Sequence, residues 1–167
     1  FSLANLYYYG SGIEKDLSQA FLWYQRSSSQ GQPYAAYSIA QMYRYGEYVT
    51  KDNDTAQRYY KQALSGFLKI ESDDMANDDL FYKLGQMFKF GLGTDSDVTK
   101  AIEYFKRSAE MNNKNGFFEY GKALLTGEHI PQDTDSAVKL LEKAVKLKNS
   151  NAKRFLALEY ISGEHLE

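Results

Sequence analysis

The chain has 167 residues, of which 43% are hydrophobic and 25% are charged, a composition that indicates a packed globular domain and excludes an intrinsically disordered one. The 20 basic and 22 acidic residues give a net charge of −2, so no overall positive field would attract nucleic acid or an anionic membrane. The absence of cysteine excludes disulfide bonds and thiolate metal sites.

Helical periodicity runs along the whole chain. Apolar residues recur at helical spacing before a series of regularly placed glycines, which predicts an amphipathic helix that ends at each glycine. An aspartate six residues later can accept hydrogen bonds from the free backbone N–H groups of a second helix. No alternating apolar run is long enough to predict a strand, so we expect an all-α fold. In chain order, the predicted helices cover residues 1–9, 17–30, 34–45, 53–69, 78–90, 98–112, 115–126, 134–148 and 151–162.

These helices follow an internal repeat. Its glycines are separated by 36, 45, 36 and 36 residues, and they are Gly10, Gly46, Gly91, Gly127 and Gly163. A lone helix pair cannot bury its apolar stripe, so we expect a single right-handed α-solenoid of about four and a half stacked helix-loop-helix repeats. The predicted repeats are approximately 1–34, 35–78, 79–114, 115–150 and a partial 151–167. Because residue 1 is not Met and lies half a repeat into the pattern, we expect a piece of a longer protein.

One repeat carries a full set of informative residues: Leu84-Gly85, Phe88, Gly91-Leu92-Gly93, Asp97, Lys100-Ala101, Tyr104-Phe105 and Ser108-Ala109. Together they resemble the Sel-1-like repeat, a relative of the tetratricopeptide repeat with a longer loop, and the resemblance covers the whole chain. It implies a superhelical scaffold for protein–protein interaction. Repeats two, four and five replace the Gly-x-Gly loop by Gly46-Glu47-Tyr48, Gly127-Glu128-His129 and Gly163-Glu164-His165, and we expect those loops to bend differently.

The expanded second repeat carries a finer resemblance. Its long second helix, from Ala63 onward, and the acidic stretch before Gly85 look like the Sel-1-like region that follows relaxases of mobile elements in Gram-positive bacteria. The resemblance implies an alternative function, an accessory repeat region that contacts the DNA-transfer machinery. The relaxase metal site of one Tyr and three His has no counterpart, because the chain holds 2 His.

No residue pattern predicts catalysis, a metal or a cofactor. His129 and His165 share one loop position, but equivalent positions of stacked helix pairs lie roughly 10 Å apart, too far to share an ion. We therefore expect solvent-exposed histidines, and no nucleophile, base and orienting residue recur at a suitable spacing for an enzyme. The lysine-rich face around Lys143 is interrupted by Glu142, so we expect a solvated face and no nucleic-acid partner for this segment.

The predicted binding surface is the concave side of the first helices, which solenoids use for extended contacts. Aromatic residues precede the first three glycines by one position, and Leu or Met precedes them by four. Aromatics, Met and flanking basic residues suit protein interfaces. The predicted contacts to a protein or peptide partner are Leu6, Tyr9, Met42, Arg44, Tyr45, Met87, Lys89 and Phe90. Alternatively, the aromatic side chains pack into the neighbouring repeat. Both columns fade at Thr126 and Ser162, so we expect any groove in the N-terminal three repeats.

The sequence also carries an expectation about location. No stretch approaches the ~18 consecutive apolar residues that span a bilayer, so we expect no membrane insertion. The first residues lack the basic start of a signal peptide, and together with the absence of cysteine this favours a cytoplasmic protein.

Overall fold

The computed structural model describes residues 1–163 and 165. In this part of the chain it contains nine α-helices and no strand, which confirms the predicted all-α repeat solenoid. Each predicted helix is present, with ends within three residues of the predicted ones. The helices are α1 (Ser2–Tyr9), α2 (Leu17–Ser29), α3 (Pro33–Tyr45), α4 (Asn53–Ser72), α5 (Asp78–Phe90), α6 (Val98–Glu110), α7 (Lys114–Thr126), α8 (Thr134–Lys146) and α9 (Ser150–Ser162). We call the odd-numbered helices first helices and the even-numbered ones second helices.

The aspartate column starts the second helices, as the sequence predicts. Asp16, Asp52, Asp97 and Asp133 have non-helical backbones, and each carboxylate accepts a hydrogen bond from a backbone N–H in the first turn. These bonds satisfy donors that a helix start leaves free. The hydrogen bond from the Thr55 hydroxyl, together with backbone donors, holds the pKa of Asp52 below its usual value.

The loops between first and second helices share one geometry. The glycine that ends each first helix is left-handed, with φ between 61° and 72°. Two residues further, Gly12 and Gly93 are left-handed as well, with φ of 80° and 73°. Tyr48 and His129 occupy the same position with φ of 66°, so the expectation that their loops bend differently is wrong. The fifth loop contains Glu164, which lies outside the described residues.

A shared hydrogen bond explains why these loops do not diverge. The backbone N–H of each capping aspartate donates to a carbonyl three residues before the loop glycine, at 2.8–3.0 Å. This bond closes the loop from both ends and imposes a left-handed residue on it, whatever its side chain. A residue with a Cβ costs about 1–2 kcal/mol in that conformation, so Tyr48 and His129 are strained where Gly would not be.

The helices form two compact units. The first comprises Phe1–Met75 and Gly91–Asp95, and the second comprises Ala76–Phe90 and the described residues from Ser96 onward. In the first unit, one core cluster joins α1, α2 and α3 through Ala4, Ala20, Tyr24, Ala35, Ile39 and Met42. The long helix α4 packs on α3, where the Tyr37 ring lies 5.5 Å from that of Tyr60.

The second unit depends on small residues where its helices cross. A Cβ added to Gly85 of α5 would lie 2.5 Å from the Phe105 ring of α6, so only glycine permits this approach. A Cβ added to Gly121 of α7 would lie 3.1 Å from the Leu141 side chain of α8, which is closer than most Cβ contacts. These contacts set the approach of α5 to α6 and of α7 to α8, and α5, α6 and α7 build the cleft described below.

None of the described helices combines the length and the apolar character that a membrane crossing requires. Within residues 1–163 and 165, no three His, Cys, Asp or Glu side chains cluster as metal ligands.

Candidate partner-binding site

The predicted contact residues separate into an exposed group and a buried group. Tyr9, Tyr45 and Phe90 are 70%, 60% and 53% exposed, as a contact column requires. Met42 and Met87 are 1% and 0% exposed, so their prediction as contact residues is wrong. The position four before the loop glycine faces the helix packing, and an unbranched Met fills the irregular space there. Met42 packs in one cluster with Ala20 and Tyr24 of the preceding second helix.

Arg44 and Leu6 complete the predicted residues of the first unit. Leu6 is 40% exposed although it holds the same repeat position as Met42. The Arg44 guanidinium lies over the Tyr45 ring, 5.5 Å from its centroid. Burial raises the pKa of Tyr60, and the neighbouring Arg44 opposes that rise. Arg44 is half-buried and interacts with the protein's own tyrosines Tyr45 and Tyr60.

A hydrogen-bonded layer of polar and tyrosine side chains supports the exposed column in the first unit. The Tyr8 hydroxyl donates to Glu47 at 2.5 Å, and its ring packs edge-on against Tyr9 at 4.9 Å. The Tyr24 hydroxyl donates to the side-chain oxygen of Asn5 at 2.7 Å. Burial raises the pKa of Tyr24 to about 12, so it is a neutral hydrogen-bonding group at physiological pH. The sequence-based prediction missed this layer because no repeat column marks it.

In the second unit, Lys89 forms an ion pair within the protein. Its ammonium lies 2.7 Å from a carboxylate oxygen of Glu119 on α7, and the two side chains are 32% and 17% exposed. It also lies 5.4 Å from the centroid of the Phe90 ring. Burial, with the nearby carboxylates of Glu119 and Asp79, raises the pKa of Tyr82 to about 12. A partner carboxylate that paired with Lys89, as predicted, would therefore have to compete with Glu119.

A cleft of about 140 Å³ opens beside this ion pair, between α5, α6 and α7. We call it the Ala123 cleft. Its apolar lining consists of Val98, Ala101, Ile102, Phe105 and Ala123. Its polar rim consists of Lys89, Glu119, Lys122, Thr126, Glu128 and His129. An apolar floor with a few polar groups around it is the usual construction of a binding site.

The cleft exists because one repeat column changes. Ala123 stands four residues before Gly127, the position that Met42 and Met87 hold in the two preceding repeats. Alanine lacks the γ-carbon, sulfur and ε-methyl group with which those methionines fill the core, and the space stays open. The prediction placed any groove in the N-terminal three repeats because the columns fade afterwards, whereas this cleft lies where they fade.

Repeated helix pairs of this length, capped by Asp and ended by left-handed Gly, define an α-solenoid repeat protein. The Sel1 repeat model matches the chain four times, at residues 1–32, 33–66, 82–113 and 118–149. The chain therefore belongs to the Sel1 repeat family. Proteins of this family generally act as non-catalytic scaffolds for protein–protein interaction.

Solved structures of similar proteins share the fold. A Sel1 repeat protein from Oxalobacter formigenes is 24% identical with a TM-score of 0.67, over 98% of this chain and 63% of that one. A protective antigen present in uropathogenic Escherichia coli strains, displaying an SLR fold, is 28% identical with a TM-score of 0.68, over 99% of this chain and 34% of that one. Helicobacter pylori cysteine rich protein B is 20% identical with a TM-score of 0.50, over 87% and 98%.

The chain spans less than two thirds of the first two structures, 63% and 34% of their lengths. No curated protein matches its sequence.

Proposed function

We propose that this chain is a non-catalytic scaffold that binds a partner protein or peptide on the side of its first helices, the predicted concave face. The observation that supports this most is the aromatic column of Tyr9, Tyr45 and Phe90. Each ring is more than half exposed at the same repeat position, whereas Met42 and Met87, three residues before Tyr45 and Phe90, are buried. Rigid aromatic side chains lose little entropy on binding and are enriched among the residues that dominate interface energies.

The state of the polar groups favours binding over catalysis. The tyrosines beside the column are neutral at physiological pH, because burial raises the pKa of Tyr24 and of Tyr82 to about 12. Neutral hydroxyls donate hydrogen bonds and are poor nucleophiles. Lys89 and Glu119 neutralise each other at 2.7 Å and do not provide an unpaired acid or base.

The test is differential capture of partners from a cell lysate. Tyr45→Ala and Phe90→Ala remove exposed rings, so the fold should persist while the capture of shared partners falls about tenfold, as for a binding hot spot. Met111→Ala, at a 46% exposed position outside the column, is the matched control and should capture the wild-type set. Capture of every partner at the wild-type level by both aromatic variants would refute the assignment of the column.

Exposed basic residues on α8 and α9 favour a second candidate function. Helix α8 exposes Lys139, Lys143 and Lys146, and the adjacent α9 exposes Lys153 and Arg154. Such a basic surface suits phosphate contacts, as an accessory region of a relaxase in the DNA-transfer machinery would require. Filter binding of single-stranded DNA at low salt separates the candidates. Retention that falls steeply with salt supports the accessory role, and no retention removes its DNA-binding form.

A further inference from the structure

We propose that the Ala123 cleft is a subsite for a peptide segment that presents a methionine- or leucine-sized side chain next to a carboxylate. This proposal rests on the proposed scaffold function and names the chemistry of one part of the partner. It draws on three independent properties of the cleft: its size, the occupant of the equivalent space in the first unit, and its charges.

The size of the cleft suits one apolar side chain. Its volume of about 140 Å³ is close to the ~150 Å³ of an apolar protein cavity that holds benzene. Ala101, Ile102 and Phe105 provide a floor of side chains that are themselves at most 7% exposed. The cleft opens to solvent, so a partner side chain can enter while its backbone stays outside.

The first unit shows which side chain such a space accepts. There Met42 occupies the equivalent position and packs in one cluster with Ala20 and Tyr24. Counted from the loop glycines, Ala20 and Tyr24 correspond to Ala101 and Phe105, two residues that line the cleft. The same pair of repeat positions therefore receives an unbranched apolar side chain from within the chain in one unit. In the other, Ala123 leaves that space for a side chain from outside.

The charges around the rim indicate which group of the partner would lie beside the inserted side chain. Lys89 is paired with Glu119 at 2.7 Å, and the imidazole of His129 lies 3.9 Å from Glu128. Lys122 is exposed, its ammonium lies 5.5 Å from the Phe155 ring, and none of the described carboxylates forms an ion pair with it. Lys122 is thus the cation at the rim that can accept a partner carboxylate.

N-acetyl-methionine is the simplest probe that combines both groups, and N-acetyl-methioninamide is the same molecule without the charge. In ¹H–¹⁵N NMR titrations, we expect saturable shifts of backbone amides in Ala101–Phe105 and Lys122–Thr126. The amide should bind about threefold more weakly than the acid, because an exposed ion pair contributes little, and high salt should reduce the difference. Lys122→Gln should bring the acid to the affinity of the amide.

Ala123→Met rebuilds the side chain found at the equivalent position and should abolish binding of both probes while the fold persists. Ala157→Met makes the same exchange at an exposed alanine of α9, outside the cleft, and should bind as wild type does. If Ala123→Met does not fold, the smaller Ala123→Val serves and should weaken binding at least threefold. The predictions for Ala123→Met and Ala123→Val rest on side-chain volume in the cleft.

Three results would overturn the proposal: no saturable shifts in α6 and α7, wild-type binding by a folded Ala123 variant, or an acid preference unchanged in Lys122→Gln. Failure here and failure of the scaffold function are distinguishable. Partner capture that depends on Tyr45 without probe binding removes only the subsite. Probe binding without such capture removes the proposed function of the aromatic column.

Discussion

Met42→Ala tests whether the methionine column fills space in the core or forms a contact stripe for a partner. Met42 is 1% exposed, and the cluster around it includes Ala4, Ala20 and Ala35, whose side chains have no freedom to turn into a void. The Tyr24 ring beside it is fixed by a 2.7 Å hydrogen bond to Asn5. The cavity should therefore stay open, and we expect a loss of about 3 kcal/mol in the free energy of unfolding, within the ~2–5 kcal/mol range for such truncations.

Urea denaturation followed by circular dichroism and by tyrosine fluorescence measures this loss, and coincident transitions establish that unfolding is cooperative. For a chain of this length, the melting temperature should fall by about 6–12 °C. Met75→Ala removes a methionine that is 75% exposed in the same unit, and it should change stability by less than about 0.5 kcal/mol. Equal effects of the two variants on stability would refute the core-filling role of Met42, because a methionine in a contact stripe contributes to binding and not to folding.

Three further predictions concern the supports of the fold. Asn149 is 5% exposed; its side-chain oxygen caps α9, while its amide donates to oxygens in the first turn of α7 at 3.0–3.1 Å. Asn149→Ala should therefore cost about 2–3 kcal/mol in urea denaturation. Gly12→Ala and Gly93→Ala both place a Cβ on a left-handed residue, at a cost of about 1–2 kcal/mol. Only at Gly93 would the Cβ also lie 2.4 Å from a backbone nitrogen of α4, so melting curves should show the larger loss there. The pKa values of Asp52 and Asp133 are lowered by hydrogen bonds from a side-chain hydroxyl and from backbone N–H groups. Their stabilisation is complete above the ordinary value of 3.8 and is lost as the pH falls through the lowered values. Asn at both positions cannot titrate, so the urea midpoint of the double variant should depend less on pH in that acidic window, and an unchanged slope would contradict the assignment.

The helices and their repeat were predictable because the signals are local. Amphipathic spacing, an Asp six residues after a Gly, and the Gly itself act within one helix pair, and these residues form the same caps in the structure. The backbone geometry of the loops was harder to predict from the sequence. Gly-Glu-Tyr and Gly-Glu-His differ from Gly-x-Gly in sequence, but the hydrogen bond that closes each loop joins backbone atoms and does not depend on those side chains.

The binding surface was only partly predictable because exposure depends on what the next helix contributes. Tyr45 and Met42 lie three residues apart on one helix, and both are apolar residues in a repeat column. Met42 is buried against Ala20 and Tyr24, which belong to an earlier helix and come close only in the folded chain, whereas Tyr45 is 60% exposed. The ion pair of Lys89 with Glu119 likewise joins residues 30 positions apart, for which one sequence carries no signal.

In a repeat protein, equivalent positions have similar surroundings and favour the same residue, so a position that departs from its column indicates a different local role. Repeat four departs from its columns at several positions, and three of these departures meet in space: Ala123 where the two preceding repeats have Met, Thr126 where the three preceding repeats have an aromatic residue, and His129 where repeats one and three have Gly. All three side chains line the same cleft. His129 additionally holds a strained left-handed backbone that Gly would relieve. Departures without a common role need not share a site, and the meeting of these three at one apolar space with a charged rim is what a binding subsite requires.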